Sequence, residues 1–210
     1  VGNLAHALKT PLSVLTNEAQ GNKTDFGAKV SEQVRIMRDH VSLYLDRARR
    51  AARAQTLGAA TDVEPVLAAL GRTIMRINQD RGVKIDVGVS PGLKFRGEVQ
   101  DLEEMAGNLI DNAAKWSKQA VKISAAPIID PIDGTRNWLM ITVDDDGPGL
   151  PANKRAEAVK RGKRLDETKP GSGLGLSIVT ETASMYSGNL VLGDAEMGGL
   201  RVQLRLPAVT

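Results

Sequence analysis

The sequence predicts an α+β protein in which a helical hairpin precedes a domain of mixed helices and strands. Near the N-terminus, apolar residues recur at alternating spacings of four and three, which is typical of a helix that packs in a bundle: Val30, Val34, Met37, Val41, Tyr44 and Ala48. From Asp62 onward, short apolar strand-like runs alternate with helical stretches, as in helices packed on a sheet. We therefore expect a hairpin over 1–56, a linker over 57–61 and a second domain over 62–210.

In the predicted hairpin, a preceding helix packs against the helix that carries this stripe, and a polar turn at 20–25 joins the two helices. The first helix carries leucines at helical spacing: Leu4, Leu8, Leu12 and Leu15. One hairpin leaves an apolar groove uncovered, and a second copy of the chain fills it as a four-helix bundle. The sequence thus predicts a homodimer. It opens at Val1 without a methionine, so we expect a piece of a longer protein whose hairpin is truncated at its N-terminus.

The second domain is predicted to be an α/β layer structure. Periodicity and turn residues place three helices at 63–80, 98–115 and 174–186. They place strands at 83–89, 121–125, 139–143 and 200–206. The stretch 126–137 carries two prolines and a glycine and is expected to be a loop between adjacent strands.

Composition excludes several classes of protein. The 210 residues include no cysteine, which excludes disulfides and thiolate catalysis and agrees with a reducing cytoplasm. No apolar run reaches the roughly 18 residues of a membrane span, so we expect no membrane contact by this piece. The net charge is +3, with the basic excess in the first 56 residues, but aromatic residues make up only 3%. Without a recognised motif, nucleic acid is not an expected partner.

The stretch "HALKTPL" places Pro11 five residues after His6 within the first helix. A proline there removes a backbone donor and clashes with the carbonyl four residues back, at a cost of about 3 kcal/mol. On a helical wheel His6 lies roughly opposite Leu4 and Leu8, so its imidazole points away from the face they bury. Two readings stay open from these residues: an ordinary exposed histidine near a kink, and a histidine with a chemical role.

The predicted helix at 98–115 has a polar and an apolar face. The polar face carries Glu104, Asn108, Asn112 and Lys115, and the apolar row is Leu102, Met105, Leu109 and Ala113. A polar stripe is ordinarily the wet side of a helix. Two amide oxygens and an ammonium group nevertheless suit a hard cation such as Mg²⁺ together with phosphate.

Two glycine-rich stretches follow. In "ITVDDDGPGL", an apolar strand ends in acids before Gly147 and Gly149. A carboxylate at such a turn can accept a hydrogen bond from a ligand amine, because glycine lets the backbone approach closely. A solvated turn would have the same sequence pattern. In "GSGLGLSIV", three alternating glycines precede a helix, whose free backbone donors attract phosphate. The lysine of a P-loop is missing.

The order and spacing of these stretches resemble those of bacterial two-component sensor histidine kinases. His6–Leu12 resembles the phosphoacceptor H box, Asn108–Lys115 the N box, Asp145–Gly149 the first glycine box and Gly171–Gly175 the second. The stretches "GNLIDNAAKW" and "KRGKRLDETKPGSGLGL" are most similar to PhoQ-like sensor kinases. The resemblance implies a dimeric phosphotransfer hairpin followed by a Bergerat-type α/β sandwich that binds ATP with Mg²⁺.

The resemblance also implies a role for each matched residue. His6 Nε2 would attack the γ-phosphorus of ATP, Asn112 would hold Mg²⁺, and Asp145 would read the adenine amino group. Asn108 and Lys115 would contact the phosphates or their ion. Leu150–Pro170 would form a lid that carries Arg161 and Arg164. The remaining nucleotide-binding positions would be Gly147, Gly149, Gly171, Gly173 and Gly175.

The family further implies partners and a location. The phosphohistidine would pass its phosphoryl group to an aspartate on a response-regulator receiver domain. Thr10, one turn after His6, would position a water for the reverse, phosphatase reaction, although it can also bond back to the helix carbonyl at His6. The piece would be the cytoplasmic portion of an inner-membrane sensor.

Two positions depart from the family pattern. Ala7 stands where many members have an acid that assists proton removal, and Val159 stands where the lid often has a phenylalanine. Ala7 keeps open a non-catalytic module that binds nucleotide or a partner. An ATPase of the same nucleotide fold is the other alternative, but such enzymes use a carboxylate where Asn108 stands, and an amide cannot act as that base.

Overall fold

The computed structural model describes Val30 and residues 59–129, 137–159 and 175–209. The chain divides into two compact units, Val1–Leu57 and Gly58–Thr210. Of the first unit, only Val30, which is helical, is among the described residues. The hairpin expected over 1–56, with His6 and Thr10, otherwise lies outside them.

The described part of the second unit contains four α-helices and seven strands. The helices are α1 (Val63–Ile77), α2 (Val99–Trp116), α3 (Ala152–Ala158) and α4 (Gly175–Met185). The strands are β1 (Thr61–Asp62), β2 (Lys84–Val89), β3 (Lys94–Phe95), β4 (Ala120–Ile129), β5 (Asn137–Asp145), β6 (Asn189–Asp194) and β7 (Leu200–Val209). A short 3₁₀ turn, Gln79–Arg81, follows α1.

All seven strands join one sheet in the order β1-β3-β7-β5-β4-β2, with β6 also paired to β7. The β2–β4 pair is parallel, and the other pairs are antiparallel. Strand β7 pairs with β5 along one edge, while β6 and then β3 share its other edge. This arrangement sets the end of β5 beside the start of β7, where the candidate site lies.

The core lies between one face of the sheet and helices α1, α2 and α4. Alternate residues of β7 are buried on that face, as the period of two requires: Leu200, Val202, Leu204, Leu206 and Ala208. The apolar row predicted for α2 is buried in the same core: Leu102, Met105, Leu109 and Ala113. Each large side chain buried in this way contributes roughly 1.5–3 kcal/mol, so α2 is a rigid support for its polar face.

The prediction of a loop over 126–137 is wrong at both ends of that stretch, where the residues belong to strands. Residues 126–129 belong to β4 and Asn137 belongs to β5. Pro127 is paired with Leu139 in the antiparallel pair of β4 and β5. Because β2 ends opposite Ala125, Pro127 lies beyond the stretch in which β2 needs an amide donor, and the proline is tolerated there.

Other boundaries differ less. Helix α1 ends at Ile77 rather than at 80, because Asn78 leaves the helical conformation and its side chain donates to the Ile74 carbonyl at 2.9 Å. Strand β1 begins at Thr61, within the stretch expected to be linker. Strand β6 was not predicted; none of its residues is fully buried, and it contains Gly193, a residue type that is depleted in strands.

Candidate functional site

Helix α2 presents the two predicted asparagines on its half-buried face. The Nδ2 of Asn108 donates to the Glu104 carbonyl at 2.8 Å, which fixes the amide and directs Oδ1 away from that carbonyl. Oδ1 lies against Gly175, where an added Cβ would stand 3.2 Å from it. The first residue of α4 thereby meets the polar face of α2. Asn112 follows one turn later, also half-buried.

Lys115 extends this face toward the C-terminal end of α2. Its Nζ lies 2.5 Å from Oδ2 of Asp111, one turn earlier, and both side chains are partly exposed. The ammonium group is therefore held along the helix by a carboxylate of the same helix. The face combines neutral amide oxygens with one positive charge that is locally balanced.

Asp145 ends β5 and is only 3% exposed. Its Oδ1 accepts hydrogen bonds from the backbone amides of Gly147 at 2.8 Å and Leu200 at 3.3 Å. Burial raises the pKa of Asp145; the two amide hydrogen bonds lower it, and the charges of Asp146 and Asp144 raise it further, so the net shift is upward. Both backbone donors bind Oδ1, which makes Oδ2 the candidate acceptor for a hydrogen bond from a ligand.

Two glycines allow the backbone to enclose Asp145. A Cβ at Gly147 would overlap the Trp116 carbonyl at the end of α2, and a Cβ at Gly199 would overlap Asp145 itself. Gly147 was predicted as a site residue, while Gly199 was not. The signal for Gly199 was the Gly198-Gly199 pair just before the last strand. Gly149 has a φ of 71°, which a glycine adopts without strain.

The three consecutive acids point to three different partners. Asp144 faces the other side of the sheet and binds Arg201 through two hydrogen bonds of 2.8 and 2.7 Å. Asp145 binds the turn and the start of β7, and Asp146 binds the connection between α2 and β4. The alternative of a solvated acidic turn is therefore wrong for Asp144 and Asp145, which are both buried.

The fold brings part of the predicted site together, and the other predicted residues lie outside the described part of the chain. Helix α2 contacts glycine-rich segments at two points, since Asn108 meets Gly175 and the Trp116 carbonyl meets Gly147. These two contacts are about 12 Å apart along the helix at 1.5 Å per residue. The predicted site residues that lie outside the described residues are His6, Thr10, Arg161, Arg164, Gly171 and Gly173.

The described residues contain neither a cluster of metal-binding side chains nor a helix able to cross a membrane. Within 59–129, 137–159 and 175–209, no group of three or more His, Asp or Glu residues is arranged to hold a metal ion by itself. In the same ranges, no helix combines the length and the apolarity that crossing a membrane requires.

A family model described as histidine kinase-, DNA gyrase B- and HSP90-like ATPase matches residues 97–210. The chain belongs to this ATPase family. The match begins just before α2 and runs through the last strand, so it covers every described residue of the candidate site. The α/β sandwich predicted for the second domain is confirmed as the fold of this family's ATP-binding domain.

Among curated relatives, this member of the family is 34% identical to the sensor protein PhoQ of Escherichia coli strain K12 over 208 residues. The alignment covers 96% of this chain and 41% of that protein. The chain therefore spans less than half the length of this relative. The predicted likeness to PhoQ-like sensor kinases is confirmed.

Solved structures of histidine kinases share the fold. A mycobacterial sensor histidine kinase, MprB, is 29% identical with a TM-score of 0.61, covering 71% of this chain and 97% of that one. The ATP-binding domain of PrrB from Mycobacterium tuberculosis is 26% identical with a TM-score of 0.54, covering 72% and 98% of the two chains.

Proposed function

We propose that this chain is the catalytic portion of a sensor histidine kinase that binds ATP and phosphorylates His6. The observation that carries nucleotide binding is the buried carboxylate of Asp145, held by two backbone amides on one oxygen. The assignment of His6 is supported by the similarity to PhoQ, which extends over 96% of this chain and so reaches the first unit.

In this proposal Asp145 Oδ2 accepts the hydrogen bond that the adenine amino group donates. Glycine at 147 and 199 lets the backbone surround the carboxylate closely, so water is displaced and the hydrogen bond gains strength in a low-dielectric environment. A guanine base presents a carbonyl oxygen at the same position and would face the carboxylate acceptor to acceptor. The site is therefore specific for adenine.

The phosphate end of the nucleotide lies along the polar face of α2. Asn112 and Asn108 provide neutral oxygens for Mg²⁺, whose anionic ligands would be the phosphates themselves. The bound ion would neutralise charge that develops during transfer. Lys115 and the backbone at Gly171, Gly173 and Gly175 contact the phosphates. Arg161 and Arg164 in the segment 150–170 complete this basic environment.

The chemical step joins His6 Nε2 to the γ-phosphorus while the bond from that phosphorus to the bridging oxygen breaks and ADP leaves. Such a step needs mainly alignment and charge neutralisation. The phosphoryl group then passes to an aspartate of a response-regulator receiver domain. With His6 unphosphorylated, Thr10 positions a water for the phosphatase reaction.

The proposal includes the architecture that the first unit implies. The hairpin over 1–56 forms a four-helix bundle with a second copy of the chain, and a linker over 57–60 leads to the ATP-binding domain, whose first strand begins at Thr61. The longer parent is a membrane-anchored sensor, and this portion lies in the cytoplasm.

Incubation with ATP labelled at the γ-phosphate, in the presence of Mg²⁺, tests the proposal. We expect label on the protein that is labile in acid and stable in base, as phosphohistidine is. His6→Gln should abolish the label and leave ADP affinity unchanged. His40→Gln is the matched control, because it removes the other of the two histidines and should retain the label.

Other outcomes would overturn the assignment. Label retained by His6→Gln would exclude His6 as phosphoacceptor. Steady release of phosphate without labelled protein would indicate an ATPase. Nucleotide binding with neither label nor release would indicate a non-catalytic module.

A further inference from the structure

Asp146 joins two segments that meet at the candidate site. Its Oδ1 accepts from the amides of Lys118 at 2.7 Å and Gln119 at 3.2 Å, and its Oδ2 accepts from Gln119 at 3.1 Å. Both amides belong to the connection between α2 and β4. Its own amide donates to the Ala120 carbonyl at 3.2 Å. The residue next to Asp145 is thus fastened to the end of the helix that carries Lys115.

The same end of α2 is held from its other side by Arg81. The guanidinium donates from Nη1 to the Ala114 carbonyl at 2.8 Å and from Nη2 to the Ser117 carbonyl at 2.9 Å. The last carbonyls of a helix lack partners within it, so these hydrogen bonds fix the position of its final turn. The end of α2 is a rigid point to which Asp146 can be anchored.

The anchor stands next to the recognition carboxylate. Gly147 follows Asp146, packs against the Trp116 carbonyl and donates its amide to Asp145 Oδ1. If the connection to α2 were released, the Gly147 amide would lose its fixed position. The Asp145 carboxylate, which that amide holds through Oδ1, would then no longer direct Oδ2 toward the ligand. Asp146, not Asp145, accepts the hydrogen bonds from the Lys118 and Gln119 amides, so Asp146 supplies this attachment.

We propose that Asp146 is a positioning residue for adenine recognition, because it anchors the turn that aims Asp145 to the C-terminal end of α2. This inference rests on the proposed nucleotide function. Burial of Asp146 alone would raise its pKa, but hydrogen bonds from backbone amides outweigh that effect and lower it. The carboxylate is therefore ionised at neutral pH, with both oxygens able to accept.

The role depends on an acceptor oxygen rather than on charge. Asparagine retains Oδ1, which makes the hydrogen bonds to Lys118 and Gln119, whereas alanine loses all three. We expect Asp146→Ala to weaken ADP binding on the order of tenfold, as a misaligned hydrogen bond to a charged acceptor would. Asp146→Asn should restore most of that loss.

The test measures the dissociation constants of ADP and GDP by calorimetry for the wild type, Asp145→Ala, Asp146→Ala and the double variant. If Asp146 acts through Asp145, Asp146→Ala lowers the preference for ADP over GDP. It also adds little to the loss in a chain that already carries Asp145→Ala. Asp86→Ala, which removes an exposed carboxylate from β2, should leave both constants unchanged.

Equal losses for ADP and GDP in Asp146→Ala, or an undiminished loss in the Asp145→Ala background, would overturn this inference alone. Wild-type protein that binds ADP no better than Asp145→Ala does would overturn the proposed function and the inference with it. Circular dichroism checks that each variant is folded. If Asp146→Ala is unfolded, Asp146→Ser is measured instead. The serine hydroxyl is too short to accept from both the Lys118 and the Gln119 amide, so this variant also loses the anchor.

Discussion

At the scale of single residues, the run Asp144-Asp145-Asp146 shows how neighbours with the same side chain acquire different functions. Successive side chains of a strand alternate between its two faces, so Asp144 meets Arg201 on one face and Asp145 enters the site on the other. Asp146 lies past the strand and binds the α2–β4 connection. Identical acids therefore have three different surroundings: an ion pair with Arg201, a buried position bound by backbone amides, and the α2–β4 connection.

Asp145→Asn should separate binding from stability. The asparagine Oδ1 can accept from Gly147 and Leu200, which leaves its NH₂ group facing the adenine amine, donor to donor. We expect ADP affinity to fall by a factor of about 10 to 100, the range for a lost hydrogen bond to a charged group. Calorimetry measures the loss, with Asp86→Asn as the control. An unchanged dissociation constant would contradict the assignment of Asp145.

The raised pKa of Asp145 also predicts a pH dependence. An acid with a raised pKa in the folded state contributes stability at low pH that is lost as the pH rises through that pKa. At neutral pH the buried charge therefore costs stability, and Asp145→Asn without nucleotide should melt at a higher temperature than the wild type. The difference should disappear below the ordinary Asp pKa of 3.8. Thermal unfolding at several pH values measures it, and a lower melting temperature for the variant at neutral pH would contradict the expectation.

At the scale of elements, α2 combines two tasks on one helix. Its apolar row packs into the core and fixes the helix, while its polar face lies beside Gly175 and the turn at Gly147. The pair of Asp111 and Lys115 lies on this polar side. In the proposed complex with nucleotide, the Asp111 carboxylate would compete with phosphate for the Lys115 ammonium group.

Asp111→Asn should therefore strengthen ADP binding. Removing the carboxylate breaks its exposed ion pair with the Lys115 ammonium, worth roughly 0.3–0.5 kcal/mol, so we expect a gain of about twofold. In a chain that carries Lys115→Met the gain should be smaller. Glu103→Gln removes a carboxylate from the same helix about 12 Å away along its axis and is the control. A weaker affinity in Asp111→Asn would instead place Asp111 among the groups that bind the ligand or its ion.

At the scale of the whole molecule, the site exists because one sheet brings distant segments together. Strand β7 is the last element of the chain, yet it pairs with β5 and sets the Leu200 amide beside Asp145. Helix α4 packs against α2 and sets Gly175 beside Asn108. Residues more than fifty positions apart thus become neighbours.

The first unit adds a prediction at this scale. Its apolar stripe, from Val30 to Ala48, should be covered by a second copy of the chain. Light scattering at tens of micromolar should then give twice the mass of one chain, and Met37→Asp should shift the protein toward monomer because a buried, unpaired charge is costly. Ile77→Asp is the control, since Ile77 is 73% exposed on the second unit. A monomeric wild type would contradict the predicted dimer.

Periodicity and local motifs by themselves determined helices α1, α2 and α4 and strands β2, β4, β5 and β7, whereas α3 and the strands β1, β3 and β6 were not predicted. The alternation of Leu200, Val202, Leu204 and Leu206 can bury only as a strand, and the row from Leu102 to Ala113 can bury only as a helix. Resemblance across the ordered motifs identified the family and predicted a nucleotide site at Asn108, Asn112, Lys115 and Asp145. These signals are local in sequence, so they can be read without knowing which segments touch.

Only the tertiary structure decided which atoms hold those residues in place. Three of these contacts join positions far apart in the chain. The Leu200 amide and the backbone at Gly199 lie against Asp145, and the Arg81 side chain donates hydrogen bonds to the end of α2. No local pattern encodes such contacts, because sheet pairing and helix packing choose the neighbours. The same packing decides that Asp145 is buried with a raised pKa while Asp146 is anchored with a lowered one.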